Sequence, residues 1–295
     1  MALPPGLDEL KKMSVTEIES VSREFAGYAY LHTTIGIARI LGQYKVYVDT
    51  RDIGIAPHLI LDGYWESWFT RCLLNIVQPG DVCIDAGANF GYYSVIMADL
   101  AGKKGRVLAV EPNPDLCRLL KATAALSPVA FDVVPLALGD KRSKIKLSVP
   151  EGHMGSASVL PYIKNLWPNT TQIKANQISI DDLVAEQELT QVDIVKLDIE
   201  GSEALVFKGM QKTIQDNPRL KVLMEYSPWL YDDAAEFTTY LFETFKVTQI
   251  KDVDNMTVLD ETSLPALVAL EDHTDLLLTS KVEMEDEAES EPSEA

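Results

Sequence analysis

From about residue 82 onward, apolar positions fall into two alternating patterns. Short, nearly unbroken apolar runs stop at an acid or a proline. Between them lie longer stretches whose apolar residues recur three or four apart. The runs are VCID (82–85), RVLAVEP (106–112), FDVVPLAL (131–138), VDIVKLDIE (192–200), LKVLMEYSP (220–228), FKVTQI (245–250) and TDLLLTSK (274–281). The periodic stretches cover 91–100, 114–126, a segment opening at Asp181, then 201–214 and 232–244. In the first, Tyr93, Ile96, Met97 and Leu100 share one helical face. Strands alternating with helices predict a parallel sheet covered on both sides, and runs such as VLAV and IVKL suit strands buried on both faces.

The pattern breaks in three places. Residues 15–41 read as helical, with Ser14 as N-cap and Glu17 three residues on, and 43–50 alternate like a strand. A helix within 61–76 carries Trp65, Phe69 and Leu73 on one stripe. Residues 1–75 are therefore expected to form a cap beside the sheet domain of residues 76–281. Within that domain, 139–180 holds turns, a strand over 144–149 and a polar segment rich in Ser, Asn and Thr. It reads as an insertion over one sheet edge that could serve as a substrate lid. The last segment, 282–295, holds seven acids and no base between Glu283 and Glu294, and is expected to be a disordered tail.

Charge narrows the class of partner. The 295 residues carry a formal charge of -19, which argues against nucleic acid. The one dense basic stretch, 141–146, reads as a solvated hairpin turn. Cys72, Cys83 and Cys117 have no paired or metal-like spacing. No signal-peptide core and no membrane-length apolar run is present, so the sequons at Asn169 and Asn255 read as accidental and the expected location is cytoplasmic. The partner expected is a small-molecule substrate, without nucleic acid or membrane. The sequence does not indicate an oligomeric state.

Candidate chemistry gathers at strand ends. DAGANFG (85–91) places an acid and then glycines at the carboxyl end of the first sheet strand, where open α/β sheets bind ligands. Gly87 lets the backbone approach a ligand closely. Asp85 opposes a pyrophosphate but suits a cation, which favours S-adenosylmethionine, with its ammonium and sulfonium, over NAD. Glu111 ends the second strand, where a carboxylate can accept both ribose hydroxyls. KLDIEGSE (196–203) ends the fourth strand, and alternation puts Lys196, Asp198 and Glu200 on one side if the strand persists. These acids could bind the methionine ammonium, orient a hydroxyl, act as general base or hold a divalent metal. Glu225 ends the next strand beside them, which makes Asp198 and Glu225 the candidates for a metal that nothing in the sequence requires. Asp198 and Glu200 are the first catalytic candidates. His153, in the Gly- and Ser-rich insertion, is the second. Trp65, Tyr162 and Trp167 could line a pocket.

The ordered set DAGANFGYYS, AVEPNP, ALGD, SIDDL, VDIVKLDIEGSE and VLMEYSP, with DGYWE (62–66) upstream, resembles the FkbM family of S-adenosylmethionine-dependent methyltransferases. The resemblance implies a Rossmann-like class I methyltransferase fold, α/β, with a seven-stranded, mostly parallel sheet whose final strand is antiparallel. It also implies methyl transfer to a hydroxyl of a sugar or natural-product-like small molecule. Carried onto the matching segments, it implies cofactor contacts at Glu66, Asp85, Gly87, Asn89, Tyr92, Glu111, Pro112, Asn113, Ala137 and Asp198. An N- or carboxyl-methyltransferase of the same fold is the alternative. An NAD-dependent oxidoreductase would need a G-x-G-x-x-G turn, which is absent. A non-catalytic relative would be expected to have lost Asp85, Gly87 or Glu111, and all three are present.

Overall fold

The computed structural model describes residues 3–160, 166–251 and 253–281. After the helix Val15–Phe25, three strands follow: β1 (Gly27–His32), β2 (Ile35–Ile40) and β3 (Tyr44–Asp49). The helices Ile55–Leu61 and Ser67–Ile76 lead to β4 (Val82–Ala86). Next come β5 (Arg106–Val110), β6 (Asp132–Val134), β7 (Ala137–Leu138), β8 (Ser143–Pro150) and β9 (Thr170–Ile178). The chain closes with β10 (Ile194–Leu197), β11 (Lys221–Tyr226), β12 (Phe245–Ile250), β13 (Thr257–Leu259) and β14 (Thr274–Ser280).

Eight strands make the main sheet, in the order β13-β12-β14-β11-β10-β4-β5-β6. β6, β5, β4, β10 and β11 are parallel neighbours, and β14 runs antiparallel between β11 and β12. Without the edge strand β13, this is the expected seven-stranded α/β arrangement with an antiparallel final strand. Strand order reverses between β4 and β10, so the carboxyl ends of those two strands open the crevice in which such sheets take ligands. Buried apolar side chains cover both faces. Leu108, Val195 and Val222 lie in one cluster, and Val107, Ala109 and Ile194 in the other.

The N-terminal region differs from its expected form. The capping box at Ser14 and Glu17 is present, but the helix stops at Phe25 and not near Leu41. Residues 27–40 form a hairpin, turning at Thr33 with φ +50. The segment Gly27–His32 (GYAYLH) is rich in tyrosine and alternates, a pattern that fits a strand. Another expected strand, 131–138, is divided by Pro135, which has no N–H for a ladder. β6 stays in the main sheet, and β7 joins β8 and β9 in a separate three-stranded layer. The polar segment of the expected insertion is β9, exposed on both faces over much of its length and paired with β8 from Ser143↔Gln177 to Pro150↔Thr170. The single helix expected over 201–214 is two, Glu203–Lys208 and Gln211–Asp216. At the break, a Cβ on Gly209 would lie 2.2 Å from the Gly139 carbonyl oxygen.

Residues 3–75 share one apolar cluster with the sheet: Leu41, Val46 and Val48 lie in it with Leu116, Leu119 and Leu120 of the helix Pro114–Leu126. No described helix is long and apolar enough to cross a membrane. Cys72, Cys83 and Cys117 are free and buried. The acidic tail expected over 282–295 lies outside the described residues.

Candidate active site

Two adjoining hollows meet over the carboxyl ends of β4, β5 and β10, and Gly87, Glu111, Gly155, Asp198 and Glu200 border both. They form one cleft with two characters. One half is apolar, walled by Pro112, Leu136, Ala137, Leu147 and Met154. The other is polar and acidic, with Glu66, Asn89, Lys196, Asp198, Glu200 and Glu225 around it.

Glu111 stands where the halves join. Its Oε2 accepts the Asn89 N–H at 3.0 Å and its Oε1 accepts the Asn113 N–H at 2.8 Å. Burial pushes its carboxyl up to about 7 against the pull of those two bonds. Each oxygen keeps a lone pair for a further donor, as a vicinal diol would supply. Gly87 has φ +76, and a Cβ there would come within 1.9 Å of the Asp198 carbonyl oxygen, so close approach of two chain segments requires glycine.

Asp85 is not in the wall of the cleft. It is fully buried beneath it, opposite Lys196 in the β4–β10 register. Its Oδ2 accepts from the Ser94 hydroxyl at 2.5 Å, and Lys196 Nζ lies 3.7 Å from Oδ1. Burial raises the Asp85 carboxyl, partly offset by Lys196 and Ser94. Lys196 bridges onward to Asp198 Oδ2 at 3.0 Å and lies over the Tyr93 ring, 5.0 Å from its centroid. Burial opposes the charge on Lys196, but Asp198 and Asp85 outweigh it and hold the ammonium protonated. The expected contact of Asp85 with a ligand ammonium is thus replaced by a buried counter-ion to Lys196, and Asp198, one-third exposed, is the carboxylate that reaches the cleft.

The strand does not persist to Glu200. β10 ends at Leu197, and the chain turns through Glu200 (φ +56) and Gly201 (φ +92). That turn, and not strand alternation, brings Glu200 to the cleft beside Asp198. Three non-glycine residues of the lining are left-handed, Glu66 at φ +38, Asn89 at +51 and Glu200. Such conformations cost free energy and concentrate at functional sites. Burial and the neighbouring Asp198 raise Glu200 and Glu66 each to about 8, although Tyr93 donates its hydroxyl to Glu66 at 2.7 Å. Glu225 accepts from the Ser227 hydroxyl at 3.1 Å and is raised by burial and by Asp198 and Glu200. Glu203 lies behind them, holding the Ile199 N–H at 3.1 Å. Among the described residues, no group of three or more His, Cys, Asp or Glu side chains could hold a metal ion.

His153 borders the acidic half, its ring tilted by 39° against that of Trp167 at 4.0 Å between centroids. Trp65 borders the same half, and Tyr162 lies outside the described residues. Tyr92 lines the cleft, but its hydroxyl is bound to the Thr70 hydroxyl at 3.0 Å, and Tyr93 makes the contact to Glu66. Asn113 does not line the cleft. Its side chain caps the helix Pro114–Leu126, and its backbone fixes Glu111. Sequence reasoning missed Asp52, Gly54 and Ile55, which reach the cleft from the N-terminal region, and Ser156 and Gly155 from the insertion. No motif marks the first three. Their place depends on how residues 51–56 meet residues 152–154.

Comparison with known proteins adds the family. The Methyltransferase FkbM domain matches residues 85–256. The hexuronic acid methyltransferase AglP of Haloferax volcanii is 32% identical over 150 residues, 51% of this chain and 58% of that protein. The chain thus spans little more than half of that relative's length. The 31-O-demethyl-FK506 methyltransferase FkbM of Streptomyces tacrolimicus is 26% identical over 186 residues, 54% of this chain and 70% of that protein. A solved SAM-dependent O-methyltransferase of Thermotoga maritima is 12% identical, covering 83% of this chain and 77% of that one at a TM-score of 0.40.

Proposed function

We infer the function from one premise: the chain belongs to the methyltransferase FkbM family. The reaction proposed is transfer of a methyl group from S-adenosylmethionine to a hydroxyl oxygen of a sugar or natural-product-like small molecule. The observation that carries it is Glu111, a buried carboxylate set between an apolar hollow and an acidic one. S-adenosylmethionine has a flat adenine base, a ribose diol and then a cationic end, in that order, and the cleft has matching walls in the same order.

The residues present fit that cofactor. Among the described residues, Asn89 Oδ1 is buried without a hydrogen-bond partner, and Gly87 borders both halves of the cleft. Pro112, Ala137, Leu147 and Met154 would hold the base, and Glu111 the ribose hydroxyls. Asp198 and Glu66 would face the ammonium. The bound cofactor supplies an electrophilic methyl on a positively charged sulfur. The chain's own task is to hold the acceptor oxygen in line and to take its proton. Glu200 is the base proposed. It is buried, left-handed and beside Asp198, and in its ionised form it can accept the acceptor's proton as the new O–C bond forms. His153, packed against Trp167, would bound the acceptor space.

Titration calorimetry with S-adenosylhomocysteine tests the cofactor half. Binding by the wild type and loss of about ten-fold or more in Glu111→Ala are expected, since one hydrogen bond to a charged group contributes about 1.5–3 kcal/mol. No binding by the wild type, or no change in Glu111→Ala, would refute it. Labelled methyl transfer to sugar hydroxyls, amines and carboxylates then separates O-methylation of a hydroxyl from its alternatives. Loss of that activity on chelation would reassign Asp198 and Glu225 to a metal.

A further inference from the structure

We propose that Asp52 is a positioning residue for cofactor binding, its carboxylate clamping the turn of residues 152–156 onto the cleft. The inference rests on the reading that the cleft takes S-adenosylmethionine. Asp52 lies before the matched domain and in no motif, yet it is 2% exposed and fully engaged. Its Oδ1 accepts the Ile55 N–H at 2.9 Å and the Ala56 N–H at 3.0 Å. Its Oδ2 accepts the Met154 N–H at 2.9 Å, from 102 residues along the chain. All three donors are backbone groups, so the carboxylate fixes the path of the chain on both sides.

A second bond runs alongside, from the Ile53 N–H to the Gly152 carbonyl at 2.7 Å. The turn held in this way serves both halves of the cleft. His153 and Ser156 border the acidic half, Met154 the apolar half, and Gly155 both. Gly155 sits so close to the glycine turn that a Cβ on it would lie 2.6 Å from Asn89 Nδ2. The helix Ile55–Leu61 has Gly54 as its N-cap and is held from two residues further back through Oδ1 of Asp52 alone, a short-range bond that a serine hydroxyl can also accept. The second oxygen of Asp52 serves only the turn, which separates clamping from helix capping.

Asp52→Ser uses that difference. Its hydroxyl can still accept from the helix start, but one short oxygen cannot also reach Met154. The variant is expected to melt near the wild type and to bind S-adenosylhomocysteine about ten-fold more weakly. In the free protein, amide hydrogen exchange over residues 152–156 should be faster than in the wild type. Wild-type affinity in a folded Asp52→Ser would overturn the proposal. Should that variant fail to fold, exchange in the wild type decides: protection of the Met154 amide supports the clamp, and exchange at the rate of an open chain overturns it. Absence of binding by the wild type would instead overturn the cofactor reading, a result distinct from wild-type-like binding by Asp52→Ser.

Discussion

Lys196 occupies a position where one side chain answers several charges. It is nearly inaccessible, and its ammonium faces Asp85 Oδ1 and Asp198 Oδ2. Replacing it by methionine keeps the volume and leaves Asp85 buried without its counter-charge. The expected loss at pH 8 is about 3–5 kcal/mol, as for other broken buried pairs. The loss should shrink in acid, because an unpaired Asp85 can take a proton. Urea unfolding at pH 8 and pH 5 measures both. Equal stability of Lys196→Met and wild type at pH 8 would refute the pairing. At this scale the sequence was informative about residue types and misleading about some roles. Asp85, Lys196 and Glu111 stand out by their place at strand ends. That Asp85 turns toward Lys196 and away from the cleft follows from the β4–β10 register, which pairs them directly.

At the scale of elements, two connections fix the path of the chain after β10, and the first of them shapes the cleft. The carboxyl end of β10 turns sharply through Glu200 and Gly201 before the helix Glu203–Lys208, and Glu203 ties that turn by accepting from the Ile199 N–H. Further on, Gly209 lets the chain pass against Gly139 of the insertion layer. Gly209→Ala introduces a methyl with no room, at an ordinary φ of -93. It should destabilise by about 1–3 kcal/mol through overpacking. Gly102→Ala is the contrast: no described atom lies within 4 Å of its Cβ, but its backbone (φ +66, ψ -171) is in a region open essentially to glycine, so its cost of about 1–3 kcal/mol is backbone strain alone. Thermal melts compare the two. A Gly209→Ala that melts at or above wild type would show that the two segments are not packed as described. Elements with a strong period were legible, including the helix Pro114–Leu126 and the strand Phe245–Ile250, both at their expected bounds. β9 was not, since an exposed strand carries no apolar alternation to reveal it.

At the scale of the molecule, the acidic cleft couples pH to stability. Glu66 and Glu200 are raised to about 8 and Glu111 and Glu203 to about 7, each chiefly by burial. A carboxyl raised in the folded state binds its proton more tightly there than in the unfolded chain. Its stabilising share is complete below the unfolded value, near 4.5, and is lost as pH rises through the folded value. The free protein should therefore lose melting temperature steadily between pH 5 and pH 8.5. A cation in the cleft favours the ionised carboxylates, so affinity for S-adenosylmethionine should rise over the same interval and binding should release protons near pH 7. Melting curves and calorimetry in buffers of different ionisation enthalpy test this. A melting temperature that is flat or rising from pH 5 to 8.5 would refute it. The N-terminal region belongs to the same whole: its Tyr47 N–H donates to Thr123 Oγ1 at 3.0 Å, and its apolar residues cover the helix Pro114–Leu126. A chain beginning at residue 67 is expected to expose that helix and to lack a cooperative melt. Wild-type-like melting of that fragment would show that the cap is dispensable.

The sequence alone determined the alternation of strand and helix, because burial on both faces of a parallel sheet forces unbroken apolar runs and each crossover forces a helical period. It also marked the strand ends that border the cleft, since acids and glycines crowd at the carboxyl ends of β4, β5 and β10 where a core strand would carry apolar residues. Only the tertiary structure decided what depends on two distant segments meeting. Register set Asp85 against Lys196, a left-handed turn aimed Glu200, and the docking of residues 51–56 against 152–154 placed Asp52, His153 and Gly155. Local propensity holds no record of those meetings. They arise when residues 51–56 and 152–156 meet over the carboxyl ends of the strands, and a hydrogen bond spanning 102 residues is invisible until the chain has folded.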